Sequence, residues 1–301
     1  MIVREFAVDP AIFDDPDSLR GLLHVCGPEH GRYLTGLPES MLNELWSRIG
    51  DLGGVGQQVA TEFLTLVQHA RLTGAEGPWS DAVAAADAAL PYHGFLSGRR
   101  FASEQFERRR IEPATPHASS VFEANTDEVE RTPEAMAAAI RPLLQTASLI
   151  KIVDPYFKID DHRFMSVLEE FIRVAASTPY RRPGSTKFEV HTALKGGADD
   201  TFTNVANWQG RALKKAIDRF PELSAVRFFA WNKDGWHDRY VLAKDAGLRF
   251  SVGLDKQIID SQQSRTAVNH LKTREIGKYW KQYDERSARR GGLLGEIKAV
   301  S

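Results

Sequence analysis

Near Ser148 the chain changes its hydrophobic rhythm, and that change limits the folds open to it. Before this point apolar residues recur mainly at the helical period. After it, short β-branched runs alternate with amphipathic stretches. Leu149-Ile150-Lys151-Ile152-Val153 reads as a buried strand that must leave the sheet at Asp154-Pro155. Residues 162–175 place Phe164, Val167, Leu168, Phe171 and Ile172 on one helical face. Strands follow at 187–194, 226–230, 236–243 and 248–254, with helices at 202–220 and 273–288. Such alternation specifies an α/β domain with a mostly parallel or mixed sheet flanked by helices.

The preceding region reads as mainly α-helical. A short strand at 2–8 leads into a helix opened by Asp15-Pro16 and closed by Gly27-Pro28. Further helices are expected at 39–49, 57–72 and 79–90. His30-Gly31-Arg32 reads as a turn, and 99–132 as polar and irregular. Thr132-Pro133-Glu134 is a helix start that Pro142 should interrupt. The expected division is a helical region at 1–145, an α/β domain at 146–288 and a flexible tail at 289–301. The N-terminal helices would offer a surface to a protein partner.

Composition removes several function classes. The formal net charge is −1, so contact with nucleic acid or anionic lipid has to come from a local basic patch. Arg108-Arg109-Arg110, Arg181-Arg182 and Arg289-Arg290 are such clusters, although solvated loops use the same residues. The single cysteine, Cys26, precludes an internal disulfide and a thiolate zinc site of the usual kind. No signal peptide opens the chain, and no apolar run approaches the ~20 residues of a membrane helix, so a cytoplasmic protein without membrane insertion is expected.

The residues able to carry chemistry gather at predicted strand ends. His237 and Arg239 share one face of a strand, because side chains alternate across it. The turn at Asp245-Ala246-Gly247 makes a hairpin that should return Gly253-Leu254-Asp255 toward His237. Asp154 ends the first strand, where α/β sheets place ligands. Arginine offers a planar fork to phosphate oxygens, and histidine serves as nucleophile or acid/base near neutral pH. Asp238, Asp245, Gly253, Lys256 and His191 are further candidates for ligand contact. Three readings stay open for His237-Asp238-Arg239: an ion-pair network bracing the sheet, anion binding without turnover, and phosphodiester cleavage.

The stretch H-D-R-Y-V-L-A-K-D-A-G-L-R-F-S-V-G-L-D, with D-P-Y-F at 154–157, resembles the C-terminal domain of microtubule-interacting-and-trafficking (MIT) proteins, a divergent branch of the phospholipase D superfamily. It is also similar to bacterial proteins with an H-x-R-Y-x-L-T-D-x-G-G…G-L-D pattern, whose genes often lie in defence regions. The resemblance implies a phospholipase-D-like sheet and a metal-independent phosphodiesterase, most plausibly a nuclease, needing no cofactor. His237 would attack phosphorus, Arg239 would hold the phosphoryl oxygens, and Asp255 or Asp154 would orient the histidine.

The sequence also departs from the active pattern. Working members carry H-x-K-x4-D twice; here Arg239 stands in the lysine place, Lys244 in the aspartate place with Asp245 one step late, and a second motif is missing. A homodimer would have to pair two His237 sites. The alternative is an inactive module of the same fold that binds an anionic ligand, nucleic acid or a protein partner.

Overall fold

The computed structural model describes residues 3–14, 16–35, 39–67, 94–97, 111–113, 126–158, 161–177, 186–194, 225–232, 239–257, 264–284 and 293–300. The chain forms two compact units. One spans 3–124, and the other is built from 125–301 with the first two residues.

In the first unit, the helices among the described residues rest on a sheet. Strands β1 (Arg4–Val8), β2 (Arg32–Thr35), β3 (Gly94–Ser97) and β4 (Ile111–Pro113) lie in the order β2-β1-β3-β4, and every pairing is parallel. Central β1 has Phe6, Ala7 and Val8 fully buried, as a parallel strand covered on both faces requires. Helices α1 (Pro16–Val25), α2 (Glu39–Arg48) and α3 (Val55–Leu66) add Leu19, Leu22, Leu45, Phe63 and Leu64 to the same core. Strands β2 to β4 escaped the periodicity argument because each has only three or four residues. His30-Gly31-Arg32 is the expected turn; Gly31 takes the left-handed conformation at φ 66° and Arg32 Nη1 donates to the Val25 carbonyl at 2.8 Å, satisfying an α1 terminus. Burial pushes the Cys26 thiol up to about 12, so it is held as an inert neutral group.

The second unit begins earlier than position 146. Strand β5 (Thr126–Glu130), followed by helices α4 (Pro133–Ala139) and α5 (Arg141–Thr146), belongs to it. Thr132 Oγ1 accepts from the Ala135 amide as the α4 cap, and the helix restarts around Pro142. Next come β6 (Leu149–Val153), helix α6 (His162–Ala176), β7 (Lys187–Leu194), β8 (Ala225–Asn232), β9 (Arg239–Leu242), β10 (Gly247–Phe250), β11 (Arg265–His270), helix α7 (Thr273–Gln282) and β12 (Leu293–Val300). The unit is α/β, with an eight-stranded mixed sheet in the order β12-β8-β7-β6-β9-β10-β11-β5. The pairs β6–β7 and β7–β8 are parallel and the other five antiparallel.

Two elements depart from expectation. Residues 293–300, expected to be a flexible tail, pair antiparallel with β8, because an edge strand needs only backbone groups to join a ladder. β10 ends at Phe250 instead of 254, since the Leu254 amide donates to Asp154 and the Ser251 hydroxyl, in place of a backbone carbonyl, accepts from the Ala267 amide. The expected helices at 79–90 and 202–220 lie outside the described residues, as does Asp15.

Helices flank both faces of the sheet. Phe157 stacks between Phe164 of α6 (5.2 Å) and Phe228 of β8 (6.4 Å), which places α6 over the Phe228 face. Over the other face, Ile276 of α7 and Tyr283 just beyond it pack with Val153, Phe229, Trp231, Tyr240 and Leu242, and Tyr279 and Trp280 lie against the same cluster. Burying each such side chain is worth about 1.5–3 kcal/mol. Among the described residues, no helix is long and apolar enough to cross a membrane.

Candidate functional site

The candidate site lies where β6 ends and β9 begins. Asp154 follows β6 and is fully buried. Its Oδ1 accepts from the Tyr156 amide at 2.8 Å, its Oδ2 from the Leu254 amide at 2.9 Å, and Arg239 Nε lies 3.9 Å from Oδ1. Burial pushes its carboxyl above the usual range, against the two amide donors and Arg239, with the Asp255 charge adding to the rise. Arg239 also donates from Nη1 to the Ser251 carbonyl at 3.4 Å and lies over the Tyr156 ring at 5.1 Å.

Asp255 forms the second half. It is buried, and Arg131 Nη2 donates to its Oδ1 while Arg163 Nη1 lies 3.6 Å from Oδ2. Arg163 grips Asp161 as well, with Nε 3.1 Å from both carboxylate oxygens. Asp161 is the N-cap of α6, accepting from the Arg163 amide at 3.0 Å, so the ion pair is fixed to a helix terminus. That contact holds the Asp161 carboxyl below its usual range. Gly253 is needed for space: a Cβ there would sit 2.3 Å from Asp255 Oδ1 and 3.7 Å from Asp154 Oδ2. Backbone bonds lock the loop, Lys256 N–H to the Arg163 carbonyl (3.0 Å) and Gln257 N–H to the Arg131 carbonyl (2.8 Å).

The structure therefore brings together Asp154, Arg239, Gly253 and Asp255. His237 and Asp238 lie outside the described residues, immediately before Arg239. Lys256 is tied to the site through its backbone, with its side chain exposed. Asp245 sits in the exposed β9–β10 turn, at the opposite end of the hairpin from Arg239, because Arg239 pairs with Phe250 and Leu242 with Gly247. His191 is placed elsewhere. It lies on the α7 side of the sheet, stacked on Phe229 at 4.7 Å, and its Nδ1 accepts from Trp231 Nε1 at 3.1 Å. That bond puts the His191 proton on Nε2, 3.6 Å from Glu189 Oε2. Glu189 in turn reaches Lys151 at 3.5 Å and Arg227 at 3.2 Å.

Sequence reasoning missed Arg131, Asp161 and Arg163. A signal existed for the last two, since Asp161 precedes a predicted helix in the N-cap position. None existed for Arg131, whose partner is 124 residues away in sequence. Chemically, the cluster offers two cationic side chains toward solvent, Arg163 at 37% and Arg239 at 21% side-chain exposure, held by buried carboxylates behind them. Such an arrangement suits an anion with several oxygens. Among the described residues no group of His, Cys, Asp and Glu is placed to hold a metal ion.

No protein-family model and no curated protein matches the sequence. Among solved structures, the chain is similar to Nuc of Salmonella typhimurium, a phospholipase D family member, at 7% identity and a TM-score of 0.34, over 56% of this chain and 96% of that one. It is also similar to TrmBL2, an archaeal chromatin protein described with a novel mode of DNA binding, at 8% identity and a TM-score of 0.30, over 55% of this chain. The match spans about half the length of TrmBL2, 53%. At these scores neither likeness bears on chemistry.

Proposed function

We propose that the second unit is a phospholipase-D-like module that recognises a phosphate ester through Arg239 and Arg163. The observation that carries this reading is the commitment of both carboxylates. Asp154 spends its oxygens on the Tyr156 and Leu254 amides and Asp255 on Arg131 and Arg163, so both serve as braces for arginines and loops. Orienting the His237 imidazole, the role expected of them, would compete with those partners. The departure at Arg239 points the same way, because a guanidinium holds its proton and binds oxyanions without transferring it. On this reading the module is akin to the trafficking-type branch, and catalysis is an added property to be tested.

The turnover step itself would be simple. His237 would attack phosphorus as the P–O bond to the leaving group breaks and that group departs as its anion; water would then cleave the P–N bond, freeing His237 and a phosphate monoester. The test uses bis-p-nitrophenyl phosphate as a small phosphodiester probe, in EDTA, by calorimetry and by p-nitrophenol release. Arg239→Ala should weaken binding about 10- to 100-fold, as loss of one charge-assisted contact predicts. Binding unchanged in Arg239→Ala and Arg163→Ala would sink the site. Release of p-nitrophenol that disappears in His237→Ala would replace recognition with catalysis.

A further inference from the structure

We propose that the outer face of α7 is a second binding surface, one that contacts the phosphate backbone of duplex nucleic acid without reading its bases. The inner side of this helix is fixed by Ile276 and Tyr283, both buried on the sheet. The outer side carries Arg274, Lys278 and Lys281, all exposed, with exposed Lys272 just before the first turn. Among the described residues, the acids nearby are Glu275, which faces Arg249 at 3.9 Å and takes the Lys272 amide at 3.0 Å, and Asp284 beyond the last turn. The three cations are spaced i, i+4, i+7, one stripe of about 10 Å along the helix at 1.5 Å per residue.

Helix stability accounts for Lys281, in the last turn, but not for Arg274 and Lys278. Arg274 sits in the first turn, where a cation opposes the helix dipole. Arg274 with Lys278, and Lys278 with Lys281, are like-charge neighbours, each pair costing a few tenths of a kcal/mol. A polyanion laid along the stripe removes that repulsion and releases its own counterions. In a chain of net charge −1, the attraction must be this local.

The aromatic residues of α7 decide between kinds of polyanion. Tyr279 is stacked on Tyr240 at 4.4 Å, and the Trp280 ring holds the Lys151 ammonium at 4.3 Å. The Lys278 ammonium lies 5.2 Å from the Tyr279 ring, so both half-buried rings already have partners within the protein and neither is an open platform for the bases of a single strand. An anionic lipid surface would also want apolar side chains to insert, and those of α7 face the sheet. What remains outward is charge alone, which suits the backbone of a duplex. This surface is independent of the phosphate site, which lies with α6 and the end of β6.

The experiment follows binding of a short fluorescent DNA duplex to the full chain between about 50 and 200 mM salt. Three phosphate contacts predict a slope of log K against log salt near about −3 for the wild type. The triple variant Arg274→Ala/Lys278→Ala/Lys281→Ala should bind at least about tenfold more weakly at low salt and lose most of that slope. Arg274→Lys should keep both, and Arg173→Ala, at an exposed cation of α6 outside either site, should leave the slope intact. The thermal melt of the triple variant should match wild type, since all three side chains face solvent. No duplex binding at low salt, equal binding by wild type and triple variant, or binding only to vesicles containing phosphatidylserine would each overturn the proposal.

Discussion

The second unit contains two charged clusters built from the same ingredients and used in opposite ways. On the α7 face, Lys151, Glu189 and Arg227 stand in register across β6, β7 and β8, with His191 two residues further along β7. Its Lys151, Glu189 and His191 are sealed from solvent, while Arg227, with 22% of its side chain exposed, closes the outer end. Lys151 Nζ donates to the carbonyls of Tyr283 (2.8 Å) and Trp280 (3.4 Å) at the end of α7, and His191 is stacked between aromatic rings. At the end of β6, Asp154 and Asp255 are equally buried, yet they hold arginines whose tips reach solvent. Charge inside a sheet thus has two outcomes. In mid-strand it closes on itself and ties a helix down; past the strand's last residue, the backbone turns and leaves donors facing outward.

The largest effect should come from opening the sealed ladder. Glu189→Ala leaves Lys151 and Arg227 without their shared carboxylate, and an uncompensated buried charge typically costs about 3–5 kcal/mol. Urea denaturation should show that loss. A cost below about 1 kcal/mol would mean the ladder is solvated and the contrast drawn here is false. Gly253→Ala comes next. Its methyl would push Asp255 off Arg131, so about 1–3 kcal/mol of overpacking strain is expected, with loss of bis-p-nitrophenyl phosphate binding.

The two clusters also differ in how readable they were in the sequence. The acids of the outward cluster were legible because Asp154-Pro155 and Gly253-Leu254-Asp255 interrupt strand patterns, and interruptions mark sheet ends. The same reasoning left His191 open between a satisfied strand residue and a ligand contact, since alternation along β7 assigns a face but not what covers it. Only tertiary packing put Phe229, Trp231 and Tyr283 around that imidazole. Arg131 was illegible for a related reason: β5 is a polar edge strand (Thr126-Asp127-Glu128-Val129-Glu130) with one buried apolar residue, and its pairing with β11 is set by backbone bonds. In the first unit, the three- and four-residue strands β2 to β4 fell below what periodicity can detect, whereas five-residue β1 was legible.

Acid should separate the clusters by sign. Burial holds His191 below its ordinary value of 6.5, so the unfolded chain takes up that proton first and stability falls as pH drops below about 6.5. Glu189, whose carboxyl is depressed by His191, Lys151 and Arg227 despite the cost of burial, adds a further loss at lower pH. Asp154 acts oppositely. Its raised value means the folded state takes the proton first, so the fold gains relative stability as pH falls from that value toward 3.8. Denaturation across pH should therefore lose its decline below about 6.5 in His191→Asn, whereas Asp154→Asn should steepen the acid limb. Parallel curves for the two variants would erase the distinction.

The smallest effect on stability should come from the outward arginines. Arg163 and Arg239 are partly solvated, so Arg163→Ala and Arg239→Ala remove contacts of the kind worth about 0–1 kcal/mol at a surface. Asp154 keeps two amide donors after the loss of Arg239, and Asp255 keeps Arg131 after the loss of Arg163. Neither truncation therefore strands a buried carboxylate, which is what makes the two arginines dispensable to the fold. Binding of bis-p-nitrophenyl phosphate should nevertheless fall about 10- to 100-fold in each. A variant that unfolds instead would show that the arginine belongs to the brace, and the outward cluster would then resemble the sealed one.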